Sequence, residues 1–243
     1  MSPDSPGAAG ATPYAVEESA VSLILNGDPA TCFHCTPQYL EAMALGWLLG
    51  EGVAASPAEI ESVIASGDLR TVSARTASSP PRGSGGAVPA SDDCQRWPAP
   101  SDIPVEPDRA SAEIRGLLSD PARLRPRFAA MFERAERRRG GGGIHTGALV
   151  TDGEVRLVVE DVGRHNLVDK IIGLAVRAGM PLDDSILLLS ARVSGAIALK
   201  LWRTGVPAVA SISVPTTMAR DIAARCGIAI VGRSLKQNPH LYG

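Results

Sequence analysis

The sequence predicts an α/β protein whose C-terminal half forms a mostly parallel sheet with helices on both faces. Between residues 140 and 243, short apolar segments alternate with helical patterns, which is the order of strand–helix–strand units. The predicted strands are almost entirely apolar, as expected for strands covered on both faces. Gly179, Gly205 and Gly227 follow the helical patterns, at positions where the end of a helix takes a left-handed residue.

The bulk composition excludes several classes of protein. A chain of 243 residues, 44% hydrophobic and 21% charged, is predicted to be globular, with one large domain or two small ones. A net charge of −2 argues against a general nucleic-acid-binding protein. No apolar segment approaches the roughly 20 residues of a membrane span, and the N-terminus lacks the basic start and apolar core of a signal peptide. A cytoplasmic protein is therefore predicted, and its four cysteines are expected to be reduced.

The N-terminal region is predicted to contain a disordered tail followed by a hairpin and a helix. Residues 1–13 are mostly Ser, Pro, Gly and Ala, which is typical of disorder, and residues 14–243 are assigned to one domain. Asn26-Gly27 joins the predicted strands Ser19–Leu25 and Pro29–Cys35, because this pair suits the positive φ angles of a type I′ turn.

A helix is predicted after this hairpin, with Thr36 as its N-cap and Pro37 at its first position. Ser56–Glu59 has the pattern of a capping box for a short turn, and Ile60–Ile64 is predicted to be a strand. The apolar stripe of the helix consists of Leu40, Met43, Ala44, Trp47 and Leu48.

The middle of the chain changes composition sharply. Residues 76–107 are rich in Pro, Gly, Ser and Asp and are predicted to form a long mobile loop. Helices are predicted at Ala112–Leu118 and Arg127–Arg139, with Pro126 as the break between them.

An α/β core is assigned to residues 140–243. Asp152-Gly153 is predicted to join its first two strands into a second hairpin. The predicted elements, in order, are strands Thr146–Thr151 and Glu154–Val159, a helix from Arg164 to near Gly179, strand Ser185–Ser190, a helix from Ser194 to Gly205, strand Ala208–Ser213, a helix from Thr216 to Gly227 and strand Ile228–Val231.

The segment Glu160–Lys170 provides the strongest functional signal. It reads Glu-Asp-Val-Gly-Arg-His-Asn-Leu-Val-Asp-Lys and lies where a predicted strand meets a predicted helix. Ionisable groups concentrated at such a junction are typical of binding and catalytic sites in α/β proteins. His165 is predicted to have a functional or site-organising role, and the alternative is a capping or buried structural histidine. Its polar neighbours in the segment are Asp161, Arg164, Asn166 and Asp169.

Three predicted strand ends each supply an arginine, namely Arg164, Arg192 and Arg233. Guanidinium groups, neighbouring hydroxyls and helix N-termini together favour an anionic, phosphorylated ligand. Gly140–Gly143, just before His145, adds a backbone that can approach a ligand closely. The alternative is that these arginines bridge helix ends for structural reasons.

The cysteines are predicted to differ in role. Cys32 and Cys35 lie three positions apart in a predicted strand, so they face opposite sides about 10 Å apart, too far for a disulfide. No second C-x-x-C completes a zinc site, and no metal site is predicted. Cys226 is expected to pack at the end of the last helix. Cys94 lies in the predicted loop, where a thiol can be either a covalent carrier or a bystander.

These motifs resemble those of the FdhD/NarQ family, the formate dehydrogenase accessory sulfurtransferases. The resemblance depends mainly on Glu160–Lys170, preceded by Gly141–His145, and it covers most of the chain. The other similar segments are Leu25–Gly27, Thr36-Pro37, Leu45–Gly52, Ser213–Thr217, Gly227–Gly232 and the tail up to Tyr242.

The resemblance implies a cytidine-deaminase-like three-layer fold, a homodimer and a role as sulfur carrier. A member of this family takes a persulfide from a cysteine desulfurase. It passes the sulfur to the molybdenum of bis(molybdopterin guanine dinucleotide), the client cofactor, before that cofactor is inserted into formate dehydrogenase. Deaminase chemistry itself is not expected, because the H-x-E and P-C-x-x-C zinc signature is absent from the sequence.

The resemblance also implies which residues form the site. The family carries its persulfide on a C-x-x-C in the central loop, and here that position reads Cys94-Gln95-Arg96-Trp97. The cofactor-binding segment of the family is similar to Arg233, Ser234, Leu235, Lys236, Gln237 and Asn238. Around it we expect Arg164, His165, Arg192 and His145.

The sequence departs from the family pattern at three positions. Trp97 replaces the second cysteine, Ala191 stands where a glycine is usual, and Arg233 stands where an aromatic residue is usual. These departures leave a second function open, a molybdenum-cofactor-binding chaperone without sulfurtransferase activity. A third alternative is a structural domain with an incidental polar cluster.

Overall fold

The structure is a computed structural model, and it describes residues 15–77, 103–139, 142–236 and 238–242. The predicted tail, Cys94 and residues 78–102 of the predicted loop lie outside the described residues.

Residues 15–77 form an N-terminal lobe in which one helix covers a four-stranded sheet. The strand order is β2-β1-β4-β3, with β1 antiparallel to β2 and parallel to β4. Strand β4 was not predicted. The elements are β1 (Ser19–Leu25), β2 (Asp28–Cys35), α1 (Leu40–Gly50), β3 (Ile60–Ala65) and β4 (Thr71–Thr76), with a 3₁₀ turn at Pro57–Glu59.

The predicted hairpin and apolar stripe are confirmed. Asn26 and Gly27 have φ angles of 51° and 92°, as a type I′ turn requires. The five stripe residues of α1 are buried against the sheet, alongside Val21, Leu23 and Val72.

The predicted start of α1 is wrong. The helix begins at Leu40, and the residue before it, Tyr39, has a left-handed φ of 55° and makes no capping bond with its side chain. Thr36 cannot cap this helix because its hydroxyl accepts a hydrogen bond from the Val162 N–H, in the other half of the chain.

The rest of the described chain forms a six-stranded sheet with helices on both faces. Its strand order is β10-β9-β8-β7-β5-β6. The short terminal strand β10 was not predicted. The elements are α2 (Ala112–Leu118), α3 (Pro121–Arg134), α4 (Glu136–Arg139), β5 (His145–Thr151), β6 (Glu154–Asp161), α5 (Arg164–Arg177), β7 (Ser185–Leu189), α6 (Gly195–Thr204), β8 (Ala208–Ser211), α7 (Thr217–Cys226), β9 (Ala229–Gly232) and β10 (His240–Tyr242).

The α/β prediction is confirmed, and the directions of the strands refine it. Strands β7, β8 and β9 pair in parallel, whereas β5 is antiparallel to both β6 and β7, and β10 is antiparallel to β9. Strands β6 to β9 therefore share one direction in a sheet that is mixed overall. The hairpin strand β5 lies inside the sheet, so its two faces contribute to both apolar layers.

Each face of this sheet packs against a different set of helices. Helices α5, α6 and α7 cover one face, through residues such as Leu167, Ile197 and Ile222. Helices α2 and α3 cover the other face, through residues such as Ile114 and Phe128. The sheet and its two helical layers give the three-layer arrangement.

Two predictions for residues 103–139 are corrected. Pro126 lies inside α3, because Leu124, Phe128 and Met131 bury this helix against the sheet, and that packing outweighs the loss of one hydrogen bond near the helix start. The end of the predicted loop is bound to the core: Ile103 is buried, and its carbonyl accepts from Nε and Nη2 of Arg225 at 2.9 and 2.6 Å.

The N-terminal lobe joins the core where α1 crosses α5 at very close range. A Cβ atom built on Gly46 would lie 1.9 Å from the Asp169 carbonyl oxygen, and one on Gly173 would lie 1.8 Å from that of Ala42. The two backbones touch at these glycines. Within the described ranges, none of the helices is long and apolar enough to span a bilayer.

Candidate functional site

Strands β6, β7, β8 and β9 end at the same edge of the sheet because they share one direction. Ligands of α/β sheets bind outside this carboxyl edge, so we take it as the candidate site. The four strands end at Asp161, Leu189, Ser211 and Gly232. Strand β5 starts there, with His145 opposite Asp161 in the register.

The N-terminus of α5 is open at this edge. The side chains of Ser111, Asp120, Ser194 and Thr216 cap four other helices, whereas Gly163, the N-cap of α5, offers no side chain for that purpose. The Nε of Arg164 is buried and has no hydrogen-bond partner among the described residues. The Gly163 N–H donates to Asp161 Oδ1 at 2.7 Å, but the N-cap residue itself makes no side-chain capping bond. A helix N-terminus of this kind beside an unsatisfied guanidinium nitrogen suits an anionic group.

His165, the next residue, is oriented by a neighbouring helix. Its Nε2 lies 3.0 Å from Oγ of Ser194, the residue that caps α6. His145, Arg164 and His165 are thus brought to one edge, as the sequence predicted. The hydrogen bond to Ser194 fixes the direction of the imidazole ring.

Arg192 and Arg233 are exposed at the same edge. Arg192 precedes Val193, which bridges to Pro215 and accepts a hydrogen bond from the Thr216 N–H at 2.9 Å. Arg233 has a left-handed φ of 56°, and its N–H donates to the Ser213 carbonyl at 2.7 Å. The backbones of both arginines are held, and their side chains remain open to solvent.

The other residues of the predicted 233–238 segment differ in their exposure to solvent. Ser234 is buried, and its hydroxyl donates to the Ser211 carbonyl at 2.9 Å, so it shapes the backbone and is not presented to a ligand. Leu235, Lys236 and Asn238 are exposed. Gln237 lies outside the described residues.

Two acidic side chains at this edge, those of Glu160 and Asp161, form polar contacts with other groups of the protein. Glu160 accepts a hydrogen bond from the Arg137 N–H at 2.8 Å. Asp161 is buried and paired with Lys170. These two carboxylates thus contact Arg137 and Lys170, while the side chains of Arg192 and Arg233 are exposed at the same edge.

One hydroxyl at this edge was missed by the sequence analysis. Thr146 is fully buried at the start of β5, and its Oγ1 has no hydrogen-bond partner in the described part of the chain. Its N–H donates to Ser190 Oγ at 2.8 Å. A threonine in a strand pattern gives no local sign of this isolation, so no sequence signal could have identified it.

The polar segment Glu160–Lys170 proves to have two roles. Arg164 and His165 lie at the carboxyl edge and are partly exposed, whereas Asp161, Asp169 and Lys170 are buried and bind groups of the protein itself. Asp169 pairs with Lys200 at 2.8 Å. Of the segment, only Arg164 and His165 were predicted to bind the ligand, and the buried charges of the other three residues are satisfied within the fold.

The described cysteines behave as predicted. Cys32 is exposed and Cys35 is buried, on opposite faces of β2, and burial raises the pKa of Cys35 to about 11. Cys226 is buried, and burial likewise raises its pKa to about 11. Thiols with such pKa values stay protonated near neutral pH and are poor nucleophiles. Across residues 15–77, 103–139, 142–236 and 238–242, no three His, Cys, Asp or Glu side chains are grouped to hold a metal ion.

The fold and the edge define an α/β protein with exposed arginines at the carboxyl ends of its strands. Comparison with known sequences identifies it more closely. The sequence model of the FdhD/NarQ family matches residues 16–243, and the chain belongs to this family.

Two relatives and a solved structure agree with that assignment. The sulfur carrier protein FdhD of Streptomyces coelicolor is 33% identical over 244 aligned positions, covering 89% of this chain and 82% of the relative. That of Methanothermobacter thermautotrophicus is also 33% identical, covering 89% and 84%. A formate dehydrogenase accessory protein from Desulfotalea psychrophila has the same fold, with a TM-score of 0.72 at 20% identity over 93% of this chain and 86% of that one.

Proposed function

We propose that this protein is a sulfur carrier required for formate dehydrogenase activity. The observation that supports it best is the open N-terminus of α5 beside the unsatisfied Arg164 Nε, at the carboxyl edge of a fold whose relatives are named sulfur carrier protein FdhD. Such an edge suits the phosphate groups of a guanine dinucleotide cofactor.

The proposed sulfur donor is a cysteine desulfurase, and the proposed acceptor on this chain is Cys94. The Cys94 thiolate attacks the outer sulfur of the persulfide on the desulfurase. A new S–S bond forms at Cys94, the S–S bond of the donor breaks, and the donor cysteine leaves as a thiolate. This exchange balances without any further reactant.

The proposed acceptor of the sulfur is the molybdenum of bis(molybdopterin guanine dinucleotide), which is the client and not a resident cofactor. A metal–sulfur bond forms and the S–S bond at Cys94 breaks. The reduced metal supplies the two electrons that convert the transferred sulfur into a sulfide ligand, and Cys94 leaves as a thiolate.

The residues at the carboxyl edge would hold this client by its anionic groups. Arg164, Arg192 and Arg233 offer guanidinium groups, which bind phosphate oxygens in pairs. Lys236 and Asn238 are exposed beside them. His165 and His145 lie at the same edge and complete the proposed set.

The length of the chain allows Cys94 to reach this edge. Cys94 precedes Ile103 by nine residues, and nine residues span at most about 30 Å. Ile103 is fixed beside the end of α7, at the opposite edge of the sheet. The length of β9 separates the two edges, and its four residues correspond to about 13 Å, which is less than the reach of the nine residues.

Mass spectrometry after incubation with a cysteine desulfurase and cysteine tests the covalent role. We expect one added sulfur atom on the peptide that contains Cys94. The matched control is Cys32→Ala, which removes an exposed thiol and should load normally. If Cys94→Ala supports formate dehydrogenase as well as the natural protein does, the covalent role is wrong.

The chaperone function remains a second candidate, because Trp97 replaces the second cysteine of the C-x-x-C. It predicts that guanosine diphosphate binding survives Cys94→Ala and is lost in Arg192→Ala or Arg233→Ala, while no sulfur is loaded.

The proposal also includes a homodimer located in the cytoplasm. Analytical ultracentrifugation would test whether the protein is a dimer.

A further inference from the structure

Thr36, at the end of β2 in the N-terminal lobe, directs all three of its polar groups at the segment that opens α5. The residue is fully buried. Its N–H donates to Asp161 Oδ2 at 3.2 Å, its carbonyl accepts from Lys170 Nζ at 2.7 Å, and its hydroxyl accepts from the Val162 N–H at 3.3 Å. One lobe residue is therefore bonded to three residues of the core.

The turn between β6 and α5 is held from both sides. Its first N–H, that of Val162, donates to the Thr36 hydroxyl. Its second N–H, that of Gly163, donates to Asp161 Oδ1 at 2.7 Å. Nearby, Asn166 Nδ2 donates to the His34 carbonyl at 2.7 Å, which adds a second bond between the lobe and the start of α5.

The conformation of this turn determines the positions of the Cα atoms of Arg164 and His165, the first two residues of α5. Arg164 and His165 follow Gly163 directly, and Gly163 has no Cβ to restrict its backbone. Without external bonds, the Val162-Gly163 turn would allow several directions for the first turn of α5. A hydrogen bond to a buried hydroxyl removes that freedom.

We propose that Thr36 is a positioning residue for the ligand site, so that the N-terminal lobe completes a site formed by the core. The Thr36 hydroxyl fixes the Val162-Gly163 turn and thereby aims Arg164 and His165 at the carboxyl edge. The inference rests on the proposed function only in taking that edge as the binding site for a guanine nucleotide.

The three bonds of Thr36 can be separated experimentally, because only one of them uses its side chain. Thr36→Val keeps the shape of the residue together with its N–H and carbonyl bonds, so the lobe remains docked. It leaves the Val162 N–H without its partner. Thr36→Ser restores the hydroxyl.

The test is calorimetric titration of the full chain with guanosine diphosphate. We expect Thr36→Val to bind about tenfold more weakly, which corresponds to about 1.4 kcal/mol, and Thr36→Ser to bind within about twofold of the natural protein, since one neutral hydrogen bond is worth about this amount. The matched control is Thr151→Val, which removes another buried hydroxyl, bonded to Ser185 Oγ at 2.7 Å at the far end of β5. Its affinity should not change.

Hydrogen exchange supplies a readout that separates positioning from general stability. We expect faster exchange at Val162 and Gly163 in Thr36→Val and unchanged exchange there in Thr151→Val. If Thr36→Val does not fold, Thr36→Ala replaces it, since this change removes the same hydroxyl bond to the Val162 N–H.

The outcomes distinguish this inference from the proposed function. If the natural protein does not bind the nucleotide, the proposed ligand site is wrong. If it binds and Thr36→Val, or Thr36→Ala in its place, binds equally well, the positioning role is wrong and the ligand site stands. Equal losses in Thr36→Val and Thr151→Val would likewise overturn the positioning role.

Discussion

At the scale of single residues, two buried lysines of the core bind the N-terminal lobe in the same way. Lys170 contacts Asp161 of the core and the Thr36 carbonyl of the lobe. Lys200 contacts Asp169 of the core at 2.8 Å and Glu51 of the lobe at 2.7 Å. Each ammonium group thus joins a core carboxylate to a lobe oxygen.

Replacing Lys170 should destabilise the protein strongly. In Lys170→Met, the buried Asp161 carboxylate loses its cation, and breaking such a pair typically reduces the free energy of unfolding by about 3–5 kcal/mol. Urea unfolding of both proteins measures the difference.

The matched control for that experiment is an exposed pair. Arg156 and Asp152 approach to 3.3 Å with side chains 46% and 69% exposed. Arg156→Met should change the free energy of unfolding by less than about 1 kcal/mol. Similar losses in the two variants would contradict the assigned role of Lys170.

At the scale of elements, the crossing of α1 and α5 decides how the lobe is attached. Gly46 and Gly173 allow two helix backbones to meet without intervening side chains. Both helices are predicted from the sequence, with the start of α1 placed too early, but no local pattern indicates that they pair. The sequence around each glycine does not indicate that the two glycines are in contact.

A methyl group at this crossing should separate the helices. In Gly46→Ala or Gly173→Ala, the new Cβ would lie within 2 Å of a backbone oxygen, and we expect the free energy of unfolding to fall by about 3 kcal/mol or more. Thermal and urea unfolding measure the loss.

Gly116→Ala in α2 is the control, because a Cβ there meets nothing closer than 3.5 Å. Alanine is a better helix former than glycine, so this variant should be more stable by up to about 1 kcal/mol. A stable Gly46→Ala protein would show that the helices do not cross as described.

At the scale of the whole molecule, the free energy of unfolding should depend on pH through the buried carboxyl group of Asp169. Burial raises the pKa of Asp169 to about 7, with Glu51 and Asp161 adding to the shift and Lys200 opposing it. The usual value is 3.8, so the folded state holds this proton more tightly than the unfolded state. The stability that the group contributes is complete below about pH 4 and is lost as the pH rises through about 7.

Urea unfolding between pH 5 and 8 should reveal this dependence. We expect the free energy of unfolding to fall with rising pH more steeply in the natural protein than in Asp169→Asn, which cannot titrate at this position. Arg203, whose pKa is lowered by burial, and Lys200 remain in both proteins. Glu51 still pairs with Lys200 after Asp169→Asn removes the other carboxylate that raises the pKa of Lys200. Parallel pH profiles would show that Asp169 does not titrate in this range.

The elements that the sequence predicted well are those whose signals are local. The turn at Asn26-Gly27, the left-handed residues Gly205 and Gly227, and the helix starts at Ser194 and Thr216 depend on the residue and its nearest neighbours. Pro126 was misjudged because long-range packing overrides a local preference. Thr36 was misjudged because its hydroxyl had a distant partner.

By itself, the sequence determined that this protein is α/β, that arginines stand at the ends of its C-terminal strands, and that it is similar to the FdhD/NarQ family. The tertiary structure decided which polar residues serve the ligand edge and which hold the molecule together. Asp161, Asp169 and Lys170 are residue types that also form catalytic clusters. Only their burial and their bonds to Thr36 and Lys200 show that they are structural. That distinction could not be read from the chain, because those partners lie at distant positions in the sequence.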